Sequence, residues 1–536
     1  MTAPDTQTAV AARETATRLT ERFALSALQA QLPLRFPASL VPEVPATFRA
    51  LSWYTYPGWE RLAQADTLTT EQGLYLALHL IDFSPLRDEL VQLTGIHLNA
   101  RGQTPFDPVS LFLCCLLYRE TRAGWTWLAP ALKGSWGDRW RPLLGFTAGV
   151  TPGASTMRTF YHALGETLVT SLGPRFIRLL TAAQLLLPHA PDSPVPARDG
   201  LPLATDGQLH AAHSSERCAY VTASCYQAHS PDHPRPCPAR DKGHEGCACD
   251  TDACGRACRE ATPRDPEARH IHYSGSNQHD NTATQGGRDV YGYRSYAHTL
   301  VDDQLHTYWV AYTSVHPATT DERVIFPHDF AQLQAQLPQL PISELVADAA
   351  LGYTPCLDAI YDARAIPIVH IRHDPTDNDP DACLLRGYDR RGRPLCPHGF
   401  PLAFNGLDYA RLRAAWVCRQ ACTRTSQTAA RDCPFRDPQR PLGMVKHVKR
   451  VFRHPDGTRH ARLARLFPLD SAAWQSRYRS RRNATESRNA QLTHLGLDRI
   501  CSYGLDGARD DITFADLLVN LRNLARLVQQ ASALTA

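Results

Sequence analysis

The chain has 536 residues, 43% hydrophobic and 21% charged, with a formal net charge of +4. That length exceeds what one core serves and suits about two to four domains of ordinary globular composition. No apolar run approaches the roughly 20 residues that span a bilayer, and Met1-Thr-Ala-Pro-Asp-Thr-Gln lacks a signal-peptide pattern, so a cytoplasmic location without a membrane partner is expected.

Residues 1–45 are rich in Ala, Thr and Pro and read as disordered or loosely helical, with a helix near Ala12–Ala30 that Pro33 would end. Residues 46–190 read as a helical domain. Trp53-Tyr-Thr-Tyr-Pro-Gly-Trp59 is a loop with aromatic anchors. Leu74–Leu93 carries apolar residues at helical spacing, broken at Pro85. Phe106–Tyr118 opens with Asp107-Pro108 and becomes a strongly apolar helix, and Trp125–Leu132 is a short one. Pro152-Gly-Ala-Ser155-Thr156 reads as a turn and N-cap leading a helix to about Leu172, with Arg158 on it. Helix, loop and capped helix is the order of a helix-turn-helix, and equally of a plain bundle.

After a Pro-rich linker, Pro188–Pro202, strand patterns begin in a domain spanning 200–536. Leu201-Pro-Leu-Ala-Thr-Asp206 is a short apolar run ending in a carboxylate. Asp289–Val301 and Leu305–Ser314 are β-branched and aromatic, joined by a turn at Asp302-Asp303-Gln304. Arg323–Leu337 suits a helix, Ile342–Asp348 a strand, Tyr353–Ala363 a helix, and Ile366–Ile371 a strand whose Pro367 suggests an edge. This order gives an α/β fold, a mixed sheet with helices on its faces. Thr513–Leu534 is a terminal helix with Asp510 and Asp511 at its start.

Two Cys-containing insertions interrupt the domain, at 213–280 and 374–440. In the second, Cys396, Cys418, Cys422 and Cys433 suit one tetrahedral structural zinc, with His398 able to replace a thiolate. In the first, Cys247, Cys249, Cys254 and Cys258 form the most compact set, beside Cys218, Cys225 and Cys237. Cys114, Cys115, Cys356 and Cys501 read as small core residues.

Three carboxylates stand out. Asp206 and Asp348 each end a strand and precede small residues, the stiff oxygen donors a hard divalent cation needs. Glu486 lies in a basic, helix-prone segment; from Lys446 to Arg488 there are 12 Lys and Arg against 3 Asp and Glu, a footprint for phosphates. Singly, either Asp is equally explained as a cap and Glu486 as the partner of a helical Arg.

In order, the blocks around Asp206, Tyr291-Gly-Tyr293, Asp348-Ala-Ala-Leu-Gly-Tyr353 and Tyr478–Glu486 resemble those of DDE transposases of bacterial insertion sequences. Phe106-Asp-Pro-Val-Ser-Leu, Gly145 and Ser155–Phe160 are similar to the helical domain preceding their catalytic core. The resemblance implies an RNase H-like core in which Asp206, Asp348 and Glu486 hold two Mg²⁺ or Mn²⁺. It implies a DNA-binding N-terminal helical domain, phosphate contacts by Tyr478, Arg481, Arg482 and Arg488, and location with the nucleoid. Arg158, Lys446, Lys449 and Arg450 join the expected DNA contacts. The implied partners are double-stranded DNA, as terminal inverted repeats and target, and further copies in a homodimer or larger synaptic assembly. The chain departs from the pattern at Thr493, where many members carry Lys, and in the gap between Tyr478 and Arg482. The other readings are an RNase H-like nuclease or resolvase without strand transfer, and an inactive, zinc-stabilised DNA-binding protein derived from a transposase.

Overall fold

A computed structural model describes residues 6–24, 34–36, 67–95, 105–146, 149–189, 199–213, 265–273, 288–370, 387–388, 393–396, 398–408, 413–419, 445–449 and 472–535. Among them are 12 α-helices and a six-stranded mixed sheet. None of these helices is long and apolar enough to cross a membrane.

The N-terminal region is helical. Helix α1 (Thr6–Phe23) buries Leu19 and Phe23, so this stretch packs where loose structure was expected, and it begins six residues before Ala12. Helix α2 (Thr70–Leu80) starts at a reciprocal Thr69–Gln72 capping box. The expected break at Pro85 is a short 3₁₀ turn, Ser84–Leu86, before α3 (Arg87–Thr94). Two-residue strands β1 (Leu34–Arg35) and β2 (Ile81–Asp82) pair in parallel. Helix α4 (Pro108–Thr121) begins as its Asp-Pro signal predicts: Asp107 accepts the Val109 N–H at 3.2 Å, and Pro108 has no N–H to leave unsatisfied. Helices α5 (Trp125–Lys133) and α6 (Gly137–Leu143) follow. The single helix expected to run to Leu172 is two, α7 (Ala154–His162) and α8 (Gly165–Ala182), parted where Gly165 takes φ 72°. The N-cap of α7 is Gly153, upstream of Ser155 and Thr156.

The sheet is built from β3 (Leu201–Ala211), β4 (Arg269–Tyr273), β5 (Arg288–Asp302), β6 (Thr307–Pro317), β7 (Ile342–Ala347) and β8 (Ile366–Val369). Its spatial order is β6-β5-β3-β7-β8, with β4 extending the β6 side of β5 beyond the end of β6. Strands β3, β7 and β8 are mutually parallel, and β5 runs against both of its neighbours β3 and β6. Pro367 sits on β8, which pairs with β7 alone and tolerates a residue without an N–H. Helices α9 (Glu322–Gln336) and α10 (Thr354–Asp362) are the crossovers flanking β7.

Period-two alternation divides the strands between two cores. Ala204, Val346, Ile366 and Ile368 face helix α11 (Ala472–His494), packing with Trp474 and Ala484. Leu203, Tyr296, Leu300 and Leu345 join the larger cluster that continues into the N-terminal helices. That cluster centres on helix α12 (Gly504–Thr535), which begins nine residues before the expected Thr513. Asp510 and Asp511 therefore lie inside it; Asp511, fully buried, pairs with Arg119 at 2.8 Å and accepts the Tyr161 hydroxyl at 3.0 Å. Helix α12 also closes the outer edge of β6. Asn520 accepts the Val310 N–H at 2.8 Å and donates to its carbonyl at 2.9 Å, and Asn523 donates to Tyr308 O, satisfying backbone groups a free edge would expose.

In the second insertion, β9 (Gly387–Tyr388) pairs with β10 (Pro394–Leu395), and β11 (Ala403–Asp408) and β12 (Arg413–Val417) form an antiparallel sheet with β13 (Val445–Lys449), which lies past the expected end at 440. Cys396 and Cys418 are buried there, and Cys396 Sγ accepts the Phe400 N–H at 3.4 Å. Cys422, Cys433 and the seven cysteines from Cys218 to Cys258 lie outside the described residues. Cys114, Cys115 and Cys356 are buried as expected, whereas Cys501 is exposed.

Candidate active site

The site forms where the carboxyl ends of β7 and β8 come level with the middle of β3. Ala204 is level with Val346 on β7, and Val346 with Ile368 on β8. Two residues on, the same face presents Asp206, Asp348 and His370 in a row where the apolar rows of β3, β7 and β8 run out. Asp348 caps the turn that follows, accepting the Ala350 N–H at 2.8 Å, and Asp206 accepts the N–H of Gly207 at 3.1 Å. Asp348 thus caps its turn, as one reading of the sequence had it, whereas Asp206 caps none: β3 does not end there as expected but runs five residues further to Ala211, held by its pairing with β5; both aspartates face the cleft.

Helix α11 crosses above this row. Tyr478, Arg482 and Glu486, four residues apart, make one stripe of it. The Arg482 guanidinium stands between Asp206 and Glu486, 3.5 Å from each carboxylate. It also lies over the Tyr478 ring, 5.9 Å from its centroid. Tyr478 stacks on Trp474 with centroids 4.5 Å apart, and His370 meets both rings edge-on. Asp206 is 14% exposed and Glu486 60%.

Charge crowding is visible in the titration of Asp206. Burial pushes it up to about 6; Arg482 and the Gly207 N–H oppose this, and Asp348 and Glu486 add to it. Burial likewise raises the Tyr478 phenol. A fourth carboxylate, Glu322 at the start of α9, was not singled out by the sequence. It ion-pairs with Arg294 and its carboxylate lies against Gly207, where an added Cβ would come within 2.7 Å of its Oε1 and oblige the Glu322 side chain to shift. Burial pushes Glu322 up to about 7, Arg294 opposing and Asp348 and Asp206 adding. The one available signal was Asp321-Glu322 at a helix start, which marks a cap and says nothing of its reach across the sheet.

The structure divides the expected DNA contacts. Arg481 does not lie on the stripe of Tyr478 and Glu486: it is buried against the sheet, ion-paired with Glu344 and, at 2.7 Å, with Asp303. Arg477 holds Glu344 from the same helix at 3.1 Å. Arg488 is fully buried, its guanidinium paired through two 2.8 Å bonds with Asp516. These placements correct the expectation for Arg481 and Arg488, whose guanidiniums brace α11. Arg482 takes the place beside the carboxylates. Arg158 is exposed on α7. Lys446 and Lys449 lie on β13, opposite Trp416 and Arg413; Arg450 falls outside the described residues.

The donor chemistry of Asp206, Asp348 and Glu486, all carboxylate oxygen with mutual repulsion to relieve, fits a hard divalent cation. Among the described residues, however, no three His, Cys, Asp or Glu side chains converge closely enough to form a metal cage; Arg482 stands between Asp206 and Glu486. No protein-family model matches the chain, nor does any curated protein or solved structure.

Proposed function

We propose that the protein is a DDE-type DNA transposase with an RNase H-like core, cutting at the ends of its element and joining the 3′-hydroxyl ends to target DNA. The observation that carries this reading is the placement of the three carboxylates. Asp206 lies on the first of the five principal strands, Asp348 follows the fourth at the same level, and Glu486 reaches them from a helix after the insertion. Only β5 is antiparallel to the rest, so β3 and β7 run the same way and Asp206, midway along β3, stands beside the carboxyl end of β7. The blocks quoted above supply the transposase part of the reading; the geometry supports phosphoryl transfer more broadly.

Asp206, Asp348 and Glu486 would hold the two Mg²⁺, whose chemistry is to activate water or a DNA 3′-hydroxyl and stabilise the leaving oxygen. Arg482 sits where a phosphate approaching Asp206 would meet it, and it can trade its carboxylate partners for phosphate oxygens. Tyr478, backed by Trp474, offers a fixed ring beside it for stacking or phosphate contact. Of the four expected zinc ligands in the second insertion, Cys396 and Cys418 are buried, each just after a strand of a different small sheet. DNA ends and further copies of the chain are the partners this reading requires.

Asp348→Asn and Glu486→Gln are each expected to abolish Mg²⁺-dependent cleavage of DNA carrying the element ends, with the far-ultraviolet circular dichroism unchanged. Parental cleavage by either variant removes the assignment. Supplying a pre-cut end tests the rest: hydrolysis without joining makes the protein a nuclease, and DNA binding without Mg²⁺-dependent cleavage makes it an inactive binder.

A further inference from the structure

The stripe of α11 that carries Glu486 continues beyond the carboxylates. Ala490 and His494, four and eight residues on, stand on the same side and are exposed. They line a cleft of about 730 Å³ whose opposite wall is α12 and whose end is the segment leading into α2. From α12 come Arg522, Arg526, Gln529 and Gln530, from α11 Gln491, and no Asp or Glu is among the lining residues. The two cations differ. Arg522 donates to the largely buried Glu120 at 2.9 Å, so its charge is matched. Arg526 is exposed and donates to the Thr307 hydroxyl at 3.0 Å, with no carboxylate partner among the described residues. His494 is exposed on the facing wall of the same cleft.

We propose that this cleft binds the phosphodiester backbone of the DNA strand that passes the carboxylates, with Arg526 as its principal phosphate contact and His494 and Gln530 as further donors, while Gln491 is held by its bond to the Tyr308 hydroxyl at 2.6 Å. The chemistry matches: one unpaired guanidinium, several amides and hydroxyls, and no like charge to repel phosphate. So does the length. From Glu486 to His494 the helix rises about 12 Å, which covers about three to four phosphate steps of a duplex strand. The proposal rests on the reading of the protein as acting on DNA, and its test separates the two.

Fluorescence anisotropy with a labelled DNA duplex, on the full chain across a salt series, decides it. Arg526→Glu is expected to weaken binding about tenfold and to flatten the dependence of log K on log salt by about one phosphate contact. Arg526→Lys is expected to stay near the parent, and Mn²⁺ binding, followed by electron paramagnetic resonance, to be unchanged in both. Parental affinity and salt slope in Arg526→Glu overturn the cleft assignment while leaving the carboxylate reading standing. A loss in Arg526→Lys as deep as in Arg526→Glu, with a lowered melting temperature, assigns Arg526 to bracing Thr307 and also overturns it. A parent chain that binds no DNA removes the functional reading and this inference together.

Discussion

Asp206 concentrates the conflict between stability and function in one residue. Burial and neighbouring carboxylates hold its carboxyl at about 6 in the fold, against about 4 in an unfolded chain. Without divalent metal, its deprotonation therefore costs stability: nothing below about pH 4, the full amount above about pH 6, which is the sign expected for an acid whose folded value is raised. Asp206→Asn cannot ionise. It is expected to match the parent near pH 4 and to exceed it by up to about 3 kcal/mol at pH 8, measured by urea unfolding in chelator. Excess Mg²⁺ should reverse the order, because only the parent binds it. An Asn variant no more stable than the parent at pH 8 would mean that Asp206 is not crowded. Asp206, Asp348 and Glu486 were legible in the sequence as polar ends of apolar runs and a lone acid in a basic helix. Glu322 was not, because its contact with Gly207 joins residues that only folding brings together.

Helix α11 has two ion-paired faces with different duties. One, with Arg477, Arg481 and Arg488, docks the helix on Glu344, Asp303 and Asp516; the other carries Tyr478, Arg482 and Glu486 into the cleft. A basic helix reads the same from sequence whichever way it is turned, so the expected DNA contacts mixed the two sets. Arg488→Ala would leave Asp516 charged and buried without its partner, a loss of about 3–5 kcal/mol. Guanidinium unfolding is expected to show that cost, and Arg482→Ala, whose guanidinium stays part-exposed and makes only long 3.5 Å pairs with Asp206 and Glu486, is expected to cost less than Arg488→Ala. Equal stability losses from the two substitutions would contradict the division of faces.

At the scale of the whole molecule, the helical region and the sheet share one core. Helix α12, from the C-terminal end, packs Phe514 against Phe112 of α4 with centroids 5.4 Å apart, and its asparagines close the edge of β6. Separate domains at 46–190 and 200–536 would unfold separately; a core continuous across that boundary couples them. Calorimetry is therefore expected to give one main cooperative transition for the sheet and the helical region, and two well-separated transitions assigned to these regions by limited proteolysis would refute the coupling.

By itself the sequence determined what depends on neighbours in the chain: the apolar strand runs that lead into Asp206 and Asp348, the Asp107-Pro108 helix start, the edge position of Pro367 and the basic character of α11, while the continuation of β3 to Ala211 came from its pairing with β5. Only the tertiary structure decided that Asp206, Asp348 and His370 stand level, that Arg482 rather than Arg481 faces the carboxylates, and that α12 seals β6 and walls the cleft with Arg526. Those outcomes follow from strand register and from which side of a helix meets the sheet. Both are set by packing between segments far apart in the chain, which local propensity does not encode.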